Sequence, residues 1–158
     1  MVIEEFMTGR EVSVLSFVDG KTIRTMTSAQ DHKRAKDGDQ GLNTGGMGTF
    51  SPSPFYTPEV DEFCKKYVYQ KTVDAMAAEG RPFKGIIFFG LMLTADGPKV
   101  LEYNARFGDP EAQVVLPRME NDIIEVMEAC VDGKLDQIDL KFEDNAAVCC
   151  CSCKCGYL

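Results

Sequence analysis

A chain of 158 residues with 44% apolar and 27% charged residues is long enough for one domain, or for one domain and part of another, and its composition excludes a fibre or a disordered segment. A formal net charge of -8 argues against a generic nucleic-acid or anionic-membrane binder, which would need a basic face, while small substrates that bring their own Mg²⁺ stay compatible. The longest apolar run, residues 86–93, is too short to cross a bilayer, the first five residues lack a signal layout, and five of the seven cysteines crowd into 149–155 without a spaced framework, so the expectation is a cytoplasmic protein with reduced thiols.

Val2 to Phe6 reads as a short strand interrupted by Glu4 and Glu5. Glu11 to Phe17 alternates as a strand, Asp19-Gly20 is a two-residue turn signal, and Lys21 to Met26 returns, which predicts a hairpin. From Thr27 to Thr57 no period is sustained. The stretch holds five glycines and the polar runs Asp31-His32-Lys33-Arg34 and Asp37-Gly38-Asp39-Gln40, and so reads as one long loop. Within it, Asn43-Thr44-Gly45-Gly46-Met47-Gly48 can bend closely around an anion, the bland alternative being a surface Ω-loop.

Thr57-Pro58-Glu59 opens a helix as N-cap, N1 and N2, with Val60, Phe63, Cys64, Tyr67, Ala75 and Met76 as its core stripe and Gly80 as its stop. Gly85 to Thr94 is apolar on both faces, as a central strand is, and Asp96-Gly97 hairpins it onto a strand from Lys99 to Asn104. A short helix is expected from Asp109-Pro110-Glu111 to Leu116-Pro117. A further helix starts at Asp122 with Glu125 three residues on, lines one face with Ile123, Met127 and Cys130, and stops at Asp132-Gly133. Cys150 and Cys153 form one C-x-x-C, but zinc needs four ligands and Cys64 and Cys130 fall on helix core faces, so Val148 to Cys153 reads as a buried strand. The predicted class is α+β: a mainly antiparallel sheet with the Thr57–Gly80 and Asp122–Gly133 helices packed on one face.

The chemistry concentrates in Lys99 to Gln113, KVLEYNARFGDPEAQ. Strand alternation puts Val100, Glu102 and Asn104 on one face and Leu101 and Tyr103 on the other. A carboxylate and an amide oxygen about 7 Å apart along a strand can converge on one hard cation, whose shell phosphate and water would complete. Arg106 follows as a planar donor fork, then Gly108 for a turn and Asp109-Pro110-Glu111 at a helix mouth, which together suggest phosphoryl chemistry on a Mg-nucleotide. A salt-bridged hairpin end is the other reading. His32, alone in a polar loop with no serine or cysteine nucleophile beside it, is either solvated or recruited to such a site.

The segments VIEEFMTGREVSVLSFVDGK, AQDHKR, DGDQGLNTGGMGTFSPSP and GLMLTADGPKVLEYNARFGDPEAQVVLPR resemble the phosphoribosylamine-glycine ligase (glycinamide ribonucleotide synthetase) family of the ATP-grasp superfamily, from Val2 to about Val148. The resemblance implies an ATP-grasp large lobe at 1–145 and the start of a following domain at 146–158. It also implies ATP and Mg²⁺ or Mn²⁺ as cofactors, and glycine and 5-phosphoribosylamine as substrates, joined through a glycyl phosphate. By the same resemblance Glu4, Glu5, Phe6 and Met7 form the adenine strip, Glu11 accepts from the ribose hydroxyls, and Glu102 and Asn104 hold the metal. Arg106 stabilises the transferring phosphoryl group, and Asp109 accepts from the substrate amine. Asp31, His32 and Lys33, with Asn43, Gly45 and Gly46 of the 43–48 loop, close over phosphates and glycine. Members of the family precede this stretch with a glycine-rich domain and a phosphate-clamping lobe, so the chain is expected to represent roughly the middle third of such an enzyme, the remaining lobes being its partners. The alternative is a non-catalytic nucleotide- or partner-binding fragment of the same fold.

Overall fold

The computed structural model describes residues 3–38, 40–44 and 46–150. The first hairpin forms as the pattern predicts, from β1 (Arg10–Asp19) and β2 (Ile23–Asp31). Its turn is held by Asp19, whose Oδ1 accepts from the backbone N–H groups of Lys21 at 3.0 Å and Thr22 at 2.7 Å, while Gly20 takes a φ of +98° that a side chain would resist. The remaining strands are β3 (Arg34–Lys36), β4 (Gln40–Asn43), β5 (Gly48–Ser51), β6 (Lys84–Thr94), β7 (Gly97–Asn104) and β8 (Ala147–Cys150). Six of them form one sheet in the order β7-β6-β1-β2-β5-β8, with every pairing antiparallel, and β3 pairs with β4 apart from it. β8 belongs to this sheet through β5 although it lies beyond residue 145.

The α+β class holds, but the helices do not share a face. Val12, Val14 and Val18 point to one side of β1 and pack with Cys64, Tyr69 and Val73 of the segment made of α1 (Pro58–Cys64), a π-turn (Lys65–Tyr69) and α2 (Gln70–Ala78). Leu15 and Phe17 point to the other side, against Val114 and Val115 of α3 (Ala112–Val115) and Val126 and Cys130 of α4 (Ile123–Asp132). The reason lies in β1 and β6, which occupy the middle of the sheet and are apolar on both faces. Each buried Val, Leu or Phe there is worth about 1.5–3 kcal/mol only if both faces are covered.

The long helix also departs from its predicted stripe. Thr57 caps it, accepting from Val60 N–H at 3.4 Å, but the π-turn inserts one residue and rotates the turns after it. Cys64, ahead of the π-turn, is buried as expected, though Phe63 beside it is 39% exposed; from the π-turn onward Tyr69 and Val73 are buried in place of Tyr67, which is 49% exposed, Ala75, exposed, and Met76, half-buried. The insertion seats the Tyr69 phenol, fully buried, 2.6 Å from Tyr56 Oη, which in turn donates to Asp61 Oδ1 at 3.0 Å. α4 starts and stops as expected, Asp122 Oδ1 accepting from Ile124 N–H at 2.8 Å and Gly133 ending it at a φ of +71°, but of its expected face only Cys130 is buried, with Ile123 and Met127 half-buried and Val126 and Ala129 buried beside them.

Four other expectations are corrected. Residues 3–8 form no strand, since β1 is already flanked by β2 and β6, and Ile3 and Phe6 are 87% and 91% exposed. The stretch from Thr27 to Thr57 is largely strand, with β2 running on to Asp31 and β3, β4 and β5 following. It hides from a hydrophobic pattern because its inward residues are small and polar: Ser28, Thr49, Ser51 and Ser53 are buried and hydrogen-bonded. α3 begins at Ala112 rather than Pro110, with Asp109 and Pro110 in the turn before it. β8 is a half-exposed edge strand in which Val148 is 72% exposed, and Cys151 to Cys153 of the expected strand lie outside the described residues.

Candidate active site

The register of three strands builds the site. Ser13 on β1 stands opposite Gly90 on β6, and Gly90 opposite Glu102 on β7; one row further on, Leu15, Phe88 and Asn104 are aligned in the same way. Glu102 and Asn104 thus share the face that carries Ser13 and Glu11. A bulge at Leu101 sets Val100 opposite Leu91, on the face of Phe89 and Tyr103, so Val100 does not stand beside Glu102 as simple alternation requires. Gly90 provides the room for Glu102: a Cβ there would come within 2.9 Å of Glu102 Cγ.

Glu11, Ser13, Asp31, Lys33, Gly90, Leu101 and Glu102 line a cavity of about 260 Å³. Lys33 Nζ lies 2.9 Å from Glu11 Oε2. Burial pulls the ammonium down, but the Glu11 hydrogen bond and charge, with Asp31 and Glu102 behind them, hold it above the usual lysine value. Asp31 is pushed up to about 6, first by burial and then by the charge of Glu111, against the pull of Lys33. Its Oδ1 is buried without a hydrogen-bond partner among the described residues, and Gly46, at a φ of +132°, approaches so closely that a Cβ would lie 3.0 Å from that oxygen.

Because the folded state keeps the Asp31 proton over the window from about 4 to 6, where the unfolded chain has released it, stability is expected to fall as pH rises through that window. Taken in full the shift would cost about 3 kcal/mol at neutral pH, and solvent screening of this half-buried carboxylate brings the expected loss to about 2 kcal/mol. Asp31→Asn should flatten this dependence, raising the urea midpoint at pH 7 and leaving it unchanged at pH 4. A midpoint at pH 7 no higher than wild type would contradict the assignment.

The other expected residues are placed less centrally. The His32 ring stacks edge-on against Phe50 with centroids 5.4 Å apart and lines a neighbouring cavity of about 420 Å³ with Arg34 and Lys36. Arg106 and Asp109 are exposed on the loop after β7. Arg106 Nη1 donates to Phe107 O at 2.8 Å, and Asp109 Oδ1 accepts from Gln113 Nε2 at 2.8 Å. Glu4, Glu5 and Phe6 are exposed and Met7 half-buried, with Glu5 paired to Lys99 at 2.8 Å. Asn43 sits in β4 opposite Arg34, and Gly45 lies outside the described residues. Two buried residues that sequence patterns do not single out complete the site, Ser13 and Glu111. Glu111 is visible in the sequence only as a helix-start carboxylate, and nothing in its spacing shows that its side chain turns inward.

No group of three or more His, Cys, Asp or Glu among the described residues is close enough to hold a metal by itself. Glu102 and Asn104 are two oxygen donors on one strand face, the donor chemistry of a hard divalent cation, and Glu102 makes no ion pair among the described residues; Glu102 lines the 260 Å³ cavity, whereas Asn104 lines a neighbouring one with Tyr103 and Ala105.

Comparison with known proteins gives this geometry its setting. The family model for the ATP-grasp (A) domain of phosphoribosylglycinamide synthetase matches residues 1–112. The chain belongs to this family. It is 49% identical over 148 residues to the phosphoribosylamine-glycine ligase of Brucella melitensis, covering 94% of this chain and 35% of that protein. It is 54% identical over 140 residues to the bifunctional purine biosynthetic protein ADE1 of Schizosaccharomyces pombe, covering 89% of this chain and 18% of that one. The crystal structure of phosphoribosylamine-glycine ligase from Thermotoga maritima superposes with a TM-score of 0.77 at 32% identity, over 92% of this chain and 36% of that one. The chain therefore spans about a third or less of the length of these relatives. Among the described residues no helix is long and apolar enough to cross a membrane, which says nothing of a β-barrel.

Proposed function

We propose that this chain supplies the metal- and nucleotide-binding lobe of an ATP-dependent carbon-nitrogen ligase that joins glycine to 5-phosphoribosylamine, giving glycinamide ribonucleotide, ADP and phosphate in cytoplasmic purine synthesis. The observation that carries the reading is the row Ser13, Gly90, Glu102 beside Asn104, with Lys33 and Asp31 across the cavity, in a chain of the phosphoribosylglycinamide synthetase family. Residues 1–145 would form the ATP-grasp lobe, whose sheet β8 extends, and 146–158 would lead into a following domain.

On this reading Glu102 and Asn104 hold Mg²⁺ or Mn²⁺, which when bound neutralises charge on the ATP phosphates. Glu11, on the cavity rim with Lys33, receives the ribose hydroxyls, and Glu4 to Met7 present backbone groups to the adenine. Lys33, kept charged by its three carboxylate neighbours, faces the phosphates. Arg106 offers its fork to the phosphoryl group and to the acyl oxygen on which charge develops, Asp109 accepts from the incoming amine, and Asp31, His32 and the 43–48 loop enclose glycine. Enclosure matters because each of these contacts weakens in water.

The test is ADP release from the complete gene product, coupled to a spectrophotometric readout, with ATP, glycine and phosphoribosylamine each omitted in turn. Release that requires all three supports the proposal, and release indifferent to glycine would sink it. Arg106→Lys should lower kcat by about 30-fold with KM for ATP within about twofold, since a point charge cannot reproduce a bidentate fork at the reacting centre. An unchanged kcat would remove Arg106 from the chemistry.

A further inference from the structure

Two buried polar side chains 98 residues apart in sequence meet beneath the site. Ser13, 8% exposed on β1, donates its hydroxyl to Glu111 Oε1 at 3.0 Å, and Glu111 itself is 5% exposed. The carboxylate reaches this position by folding back under the preceding turn, and the absence of a side chain at Gly108 permits it: a Cβ there would overlap Glu111 Oε2. The two backbone N–H groups of Val114 and Val115 donate to Glu111 O, so the residue is fixed at both ends, by its main chain to α3 and by its side chain to the sheet.

The loop between the end of β7 at Asn104 and the start of α3 at Ala112 carries Arg106 and Asp109, and neither of these bonds to the sheet: Arg106 donates to its neighbour's carbonyl and Asp109 accepts from α3. This loop is tied inward by Phe107, edge-on to Phe17 at 6.4 Å, and by Glu111 on Ser13. Ser13 is also the residue whose row runs through Gly90 to Glu102. The anchor of the loop and the carboxylate of the proposed metal site are thus referenced to one line across three strands. The loop backbone at Gly108 and Pro110 is buried, but Arg106 stands exposed on a long side chain, and its loop must hold it to within the roughly 1 Å that productive geometry tolerates.

The geometry assigns Glu111 to a positioning role: held by Ser13, it sets where the loop 105–109 presents Arg106 and Asp109 relative to Glu102. This rests on the ligase reading for its catalytic consequence, while the anchoring itself can be measured without turnover.

The variants are Ser13→Ala, which removes the donor, Ser13→Thr, which keeps a hydroxyl, and Glu111→Gln, whose amide oxygen still accepts it. In the complete gene product Ser13→Ala should lower kcat by about tenfold with KM for ATP within about twofold, Ser13→Thr should recover to within about threefold of wild type, and Glu111→Gln to within about fivefold. In an Arg106→Lys background Ser13→Ala should cost less than about threefold more, because the group it positions is already compromised; a purely structural loss would multiply in full. Trypsin cleavage after Arg106 supplies the measurement independent of activity, expected about fivefold faster in Ser13→Ala than in wild type and restored in Ser13→Thr. Unchanged cleavage, full multiplication of the two losses, or failure of threonine to rescue would overturn the assignment. If wild type shows no glycine-dependent ADP release, the ligase reading fails, and the cleavage rates still decide the anchor.

Discussion

Glu102→Ala in the complete gene product is expected to reduce kcat by about 10³-fold, equivalent to about 4 kcal/mol of transition-state stabilisation. The size reflects how few protein donors the site offers. Where a cation is held by one carboxylate and one amide, and phosphates complete its shell, the carboxylate is the sole charged protein ligand, and its loss leaves an amide that cannot bind a hard ion alone. Glu102 is exposed and makes no ion pair among the described residues, so the substitution disturbs no packing, and stability measured in urea should move by less than about 0.5 kcal/mol. Activity and stability therefore separate. Glu102→Gln, isosteric and neutral, should recover at most about tenfold of the loss, since the amide oxygen carries only a partial charge. The loss should also ease as Mg²⁺ is raised, because a weakened site refills by mass action. A kcat within about tenfold of wild type at low Mg²⁺ would show that the metal, if used, is held elsewhere.

Phe89→Ala is expected to destabilise the fold by about 4 kcal/mol, a large share of the roughly 5–15 kcal/mol that holds a typical domain together. Phe89 is fully buried at the middle of β6, which is itself inside the sheet. Its ring packs edge-on to Tyr69 at 4.7 Å and to Tyr103 at 5.5 Å, joining the α1–α2 layer to the strand that carries Glu102. Removing it leaves a hole walled by Val12, Val14 and Leu91, strand residues whose backbones are locked in hydrogen-bonded pairs and cannot collapse inward, which puts the cost near the top of the usual range. Phe89→Leu should cost about 1.5 kcal/mol, because most of the volume is kept. Urea unfolding followed by circular dichroism measures both. A loss under about 1.5 kcal/mol for Phe89→Ala would mean that the two layers do not depend on this contact.

Much of this protein is legible in the sequence alone, wherever the determining physics is local. The hairpin turn at Asp19-Gly20, the caps at Thr57 and Asp122, the stop at Gly133 and the pairing of β6 with β7 all depend on residues within a few positions of one another, and all are present. So does the shared face of Glu102 and Asn104, which needs only that two residues be separated by one on a strand. The motif-rich segments likewise sufficed to place the chain in its family.

The tertiary structure decided the features that depend on partners distant in sequence. Period alone could not show that the Thr57–Gly80 and Asp122–Gly133 helices cover opposite faces, because a strand apolar on both sides does not say which helix takes which. The π-turn at Lys65–Tyr69 and the bulge at Leu101 each insert a single residue, and each reverses or rotates the faces that a regular period would assign: Tyr69 is buried in place of Tyr67, and Val100 faces away from Glu102. Thr27 to Thr57 folds as strands whose inward positions are serine and threonine, stabilised by hydrogen bonds to neighbours that sequence cannot name. Glu111 is the clearest case. Locally it is a carboxylate at the start of a helix, and only the approach of Ser13 from the other end of the chain, with the space left at Gly108, turns it into a buried anchor beneath the site.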